Sequence, residues 1–160
     1  MSSGPESRQA ERRARSSAAR LYAVQALFQM EASGQSADRV QREFRDYRIA
    51  TEYEGVVSPE ADDALFQRLV DDAVTWQSRV DQATDRALVA KWPIDRIDPV
   101  LRALFRASGA ELVAKGTPAR VVITEYVRLA EAFFPDGREP RFVNAVLDHV
   151  ARELRPDEFS

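Results

Sequence analysis

The chain has 160 residues, 44% of them hydrophobic and 31% charged, with a formal net charge of -3. That length and balance fit one compact soluble protein with a core of its own and exclude global disorder. The lack of cysteine and the single histidine, His149, exclude a disulfide framework, a thiolate metal site and a histidine cluster. No apolar run approaches the ~18 residues of a membrane span.

Residues 1–7, MSSGPES, are small and polar and are expected to form a disordered tail. A long helical pattern follows, to about residue 32. Val24, Leu27 and Phe28 make an apolar stripe that Ala19, Ala23, Ala26 and Met30 extend. Ser33-Gly34 ends it. Five arginines, Arg8, Arg12, Arg13, Arg15 and Arg20, open this helix against Glu6 and Glu11, a local excess of three positive charges. The rest of the chain therefore carries a net of -6. A basic end on an acidic body points to a local anionic partner.

A second helix is expected over 37–50, through Val40, Phe44 and Tyr47. TEYEGVVSPE (51–60) reads as a connecting loop, with Ser58 as the next N-cap, Pro59 at the first helical position and Asp62 and Asp63 in the first turn. Leu65, Leu69, Ala73, Trp76 and Val80 then recur at helical spacing, and the pattern runs on to Leu88 with a break between two helices. Pro93 and Pro99 interrupt it. Asp98 caps the following helix, whose apolar side is Val100, Leu101, Leu104, Phe105, Ser108 and Leu112. Gly116 ends that helix, and Thr117-Pro118 starts another through Val122, Tyr126, Leu129 and Phe133. The last helix is expected over 141–154, on Phe142, Val146, Val150 and Leu154. No alternating strand pattern is present. The expected fold is all-α, six or seven helices with short loops.

Nothing in the sequence assembles a catalytic site. His149 lies in a helical pattern beside Val150 and reads as a surface or partly packed residue, without the neighbouring nucleophile a hydrolase needs. Asp62-Asp63 and Asp71-Asp72 read as solvated helix faces. The arginine block is the informative feature. A guanidinium keeps its charge and offers a planar donor fork suited to phosphate. On a helix, Arg8, Arg12 and Arg15 share one side, with Arg13 and Arg20 flanking. The bland alternative is a solvated helix start. The stretch REPRFVNAVLDHV adds Arg138 and Arg141 beside Phe142, an aromatic placed to stack a base or else to join the core. Asn144 either bonds a neighbouring backbone or meets a nucleotide.

Three segments resemble the NusB family in order and spacing. They are the arginine-rich start with AVQALFQ (23–29), WPIDRIDPVLRALFRASGAEL (92–112), and ITEYVRLAEAFF followed by RFVNAVLD. The resemblance covers nearly all of residues 8–155, taken as a single helical domain with a short tail at 156–160. It implies an all-helical, non-enzymatic RNA-binding protein in two helical subdomains, with no cofactor. A cytoplasmic location is the default expectation, since the sequence shows neither a membrane-span run nor the continuous apolar region of a secretory signal. Family members bind the boxA element of ribosomal RNA transcripts, pair with NusE (ribosomal protein S ten), and join RNA polymerase in antitermination.

By position, the resemblance marks Arg12, Arg13, Arg15, Arg20 and Phe142 for RNA, with Arg138, Arg141 and Asn144 as additional candidates beside Phe142. Phe28, Leu101 and Arg102 are marked for the protein partner. It also leaves a homodimer open, built on the first-helix stripe. Ser16, Ser17, Thr124, Ala110 and Ala145 depart from the family pattern. The alternative is a NusB-like RNA- or protein-interaction module from another rRNA-handling pathway. Such modules precede methyltransferase domains, and none follows Ser160 in this sequence.

Overall fold

The computed structural model describes residues 4–88 and 96–159. Among these, seven α-helices follow one another: α1 Pro5–Ser33, α2 Ala37–Tyr47, α3 Asp63–Thr75, α4 Gln77–Ala87, α5 Pro99–Ala114, α6 Ala119–Phe133 and α7 Glu139–Leu154. A two-stranded hairpin, β1 Glu52–Tyr53 and β2 Val56–Val57, lies between α2 and α3. The all-α expectation holds. Trp92, Pro93 and the start of the 92–112 motif lie outside the described residues. The chain divides into two compact units, Met1–Val70 and Asp71–Ser160.

In the first unit, α1 begins inside the expected tail. Pro5 sits in the first turn, where its missing N–H is no loss, with Glu6 at the positive helix end. Gly34 stops the helix at φ 77, in the left-handed region that glycine enters without strain, and its N–H bonds the Met30 carbonyl. Ser36 caps α2 by accepting from the Arg39 N–H at 3.2 Å. Tyr22, Phe44 and Phe66 make the aromatic core, edge-on at 6.3 Å for the first pair and stacked at 5.7 Å for the second.

Two expectations fail at the end of this unit. Residues 51–60 form a hairpin and not a plain loop. Glu54 and Gly55, at φ 51 and 82, make its tight turn. Ser58 does not cap α3. Its N–H completes a hairpin rung to the Thr51 carbonyl, while the Pro59 carbonyl accepts from the Ala50 N–H and the Tyr22 hydroxyl. Asp62 caps α3 instead, its carboxylate accepting from the Leu65 N–H at 3.0 Å.

In the second unit, α5 is central and packs against α4, α6 and α7. It is buried nearly all round, as an interior helix must be. Asp98 caps it at 2.7 Å to the Val100 N–H, as expected. At Gly109 a Cβ would lie 2.3 Å from a Val80 methyl, so α4 and α5 approach closely because that residue has no side chain.

The end of the chain supplies a clamp. Arg155, 2% exposed, donates to the carbonyls of Leu112, Glu111 and Thr117 and pairs with Glu158 at 2.8 Å. Glu158 in turn caps α6 by accepting from the Ala119 N–H at 3.1 Å, the job expected of Thr117. Its carboxyl is held below the ordinary 4.5 by that N–H first and by Arg155 second. The expected tail at 156–160 therefore includes an ordered 3-10 turn, Pro156–Glu158.

Candidate nucleic-acid interface

Residues 4–14 are solvent-exposed, although α1 runs unbroken through them. Ten helical residues span roughly 15 Å, so a long segment bearing Arg8, Arg12 and Arg13 against Glu6 and Glu11 lies clear of the core. Its alanines and arginines are strong helix formers, which lets it stay helical with little packing. At 100° per residue, Arg8, Arg12, Arg13, Arg15 and Arg20 all fall within about 160° of the helix circumference. The same half carries the buried Ala19, Tyr22, Ala23, Ala26 and Leu27. The guanidiniums continue, past the edge of the core, the side of α1 that faces it. Ala10 and Ala14 lie on the other half.

Burial then separates these arginines. Arg12 and Arg13 are exposed and Arg15 is half-buried. Arg15 also anchors the segment, its carbonyl accepting from the Asp62 N–H at 3.1 Å. Arg20 departs from the expectation of a ligand-facing arginine. It is only 5% exposed, because its place on the helix falls among the core residues.

The second cationic group opens α7 in the other unit. Arg138, Arg141 and Asn144 are exposed at three-residue steps along one side. Phe142 joins both readings offered for it. It packs edge-on to Phe105 with ring centroids 5.9 Å apart and keeps 37% of its surface exposed. Asn144 points to solvent, so the structural alternative of a bond between helices gains no support.

Of the residues marked for a protein partner, Phe28 is 40% exposed and accessible. Leu101 and Arg102, the other two residues marked for the partner, are buried within α5 and differ from Phe28 in that respect. Arg102 turns back to the Ile97 carbonyl at 3.0 Å.

Sequence reasoning missed the arginines that tie one helix to another. Arg106 forms a two-pronged pair with Asp81, at 3.1 and 2.9 Å, that ties α5 to α4. Arg86 does the same with Glu153 across α4 and α7, and holds that carboxyl below its ordinary range. The one available signal was the position of Arg106 among apolar residues of a helix. Among the described residues, no group of three or more acidic or histidine side chains could hold a metal ion, and no helix is long and apolar enough to cross a membrane.

Fold and surface define an all-helical protein in two units, with exposed cationic side chains at two helix starts. The chain belongs to the NusB family, whose model matches residues 17–152. It is 50% identical over 143 residues to the transcription antitermination protein NusB of Maricaulis maris, with 89% of each chain covered. The solution structure of NusB from Aquifex aeolicus superposes with a TM-score of 0.65 at 26% identity, covering 86% of this chain and 88% of that one. A NusB solved with NusE and double-stranded RNA superposes with a TM-score of 0.66 at 24% identity, covering 86% and 96%.

Proposed function

We propose that this chain is a cytoplasmic transcription antitermination factor. In this reading it binds boxA RNA of ribosomal RNA transcripts together with NusE, and hands that complex to RNA polymerase. The observation that carries the reading is the exposed arginine-bearing half of α1, with Arg12 and Arg13 solvent-facing on a helix seated in the core. An ordered row of guanidiniums meets successive phosphates without the ordering loss a floppy tail would suffer. Relatives named for antitermination, and a fold shared with a NusB–NusE–RNA complex, support the same reading. Arg138, Arg141, Phe142 and Asn144 form a second contact in this proposal, and Phe28 serves the protein partner. The role requires no catalytic step.

The test is RNA binding across a salt series, with a boxA-containing RNA and a scrambled RNA of equal length, each with and without NusE. The boxA RNA is expected to bind more tightly, with affinity falling steeply as salt rises because phosphate contacts release counterions. Equal affinity for both RNAs in both conditions would reject the sequence-specific role.

A further inference from the structure

An arginine track holds phosphates but does not grip bases. Sites for single-stranded nucleic acid pair such a track with aromatic platforms. Residues 5–20 contain no aromatic residue. The first one on α1, Tyr22, is 5% exposed and its hydroxyl is committed to the Pro59 carbonyl at 2.8 Å. Phe28 lies thirteen residues beyond Arg15, about 20 Å further along the helix.

The hairpin offers what α1 lacks. Two bonds tie the segment that follows its returning strand to α1, from the Tyr22 hydroxyl to Pro59 and from the Asp62 N–H to the Arg15 carbonyl, so the base of the hairpin is rooted at the end of the arginine segment. Rungs from Ser58 to Thr51 at 2.8 Å and from Ala50 to Pro59 at 3.2 Å stiffen it below β1 and β2. Tyr53 pairs directly with Val56, so both project from one face of the ribbon. They are 76% and 71% exposed. An aromatic and a branched side chain held this far into water, on a braced ribbon, make a platform with nothing on it.

Resting on the RNA-binding reading above, we propose that Tyr53, backed by Val56, stacks a base of the RNA whose phosphates the α1 arginines hold. The platform suits single-stranded RNA, whose bases are free to leave a helix.

The two kinds of contact have different signatures in a salt series with a short single-stranded boxA-containing RNA. Tyr53→Ala and Tyr53→Leu are expected to weaken binding about tenfold at every salt concentration and leave the slope unchanged, since no phosphate contact is lost. Tyr53→Trp and Tyr53→Phe should retain affinity. Arg12→Ala/Arg13→Ala is expected to make the slope shallower. Unchanged affinity for both ring-deleting variants, with loss in the arginine variant, would overturn the stacking role and leave the RNA-binding reading standing. If the arginine variant also bound like the parent, that reading would fail as well. A defect in the ring-deleting variants seen only with NusE present would make the hairpin a protein contact and overturn the proposal.

Discussion

Arginine does opposite work at the exposed start of α1, in the first unit, and in the packed interior of the second unit. In the first, Arg12 and Arg13 stand in solvent at the free end of α1. In the second, Arg102, Arg106 and Arg155 are turned inward onto carbonyls and a carboxylate. The residue type is the same, and the difference lies in what each helix does where the arginine falls. Residues 5–14 of α1 lie outside the core, so the core-facing half is left open to a ligand. On α5 and at the end of α7 the surroundings are packed, and an arginine survives there only if its donors are satisfied. Positive charge in the sequence therefore locates an anion site only where the helix is also exposed.

Removing an inward arginine should have the largest effect. Arg155→Ala strands three carbonyls and unpairs Glu158, a loss of about 3–5 kcal/mol for a buried charged network. Denaturant unfolding of the variant measures it, and a loss below about 1 kcal/mol would show that the clamp is dispensable. Next comes Gly109→Ala, which drives a methyl into Val80. It is expected to destabilise the protein by about 1–3 kcal/mol, with Val80→Ala restoring part of that loss in a double-mutant cycle.

A smaller effect is expected from acid. The Glu158 carboxyl is lowered from 4.5, so its contribution is complete above that value and fades as pH falls through the lower folded value. The Ala119 amide resonance should follow this titration, and Glu158→Gln should abolish the pH dependence of that resonance. Smallest of all, Arg12→Ala/Arg13→Ala should change stability by no more than about 0.5 kcal/mol. A large drop in melting temperature would place those arginines in the same structural class as Arg155.

The helices were largely legible because periodicity and caps are local. Asp98-Pro99 and Gly34 acted where they stand in the chain. What escaped depended on distant partners. Ser58 lost its capping role because the hairpin and the Tyr22 hydroxyl claimed the backbone around it. Thr117 lost its role to Glu158, 41 residues further on. The Arg155 clamp joins residues 43 and 44 apart in sequence, and no local pattern marks it. The exposed arginines were legible as a charged block, but charge alone did not separate Arg20 from Arg12. Both lie on the same half of α1, and the point along the helix at which burial begins separated them.

The most direct test of the arginine-bearing half of α1 keeps charge and composition and moves only the face. In one variant Arg12→Ala and Arg13→Ala are combined with Ala10→Arg and Ala14→Arg, and its affinity for boxA RNA is compared with that of the parent at several salt concentrations. Loss of at least tenfold in affinity, with helicity and melting temperature unchanged, is the expected result, because the guanidiniums would then point away from the bound phosphates. Parent-like affinity would contradict the ordered-row account and reduce the segment to a diffuse positive charge.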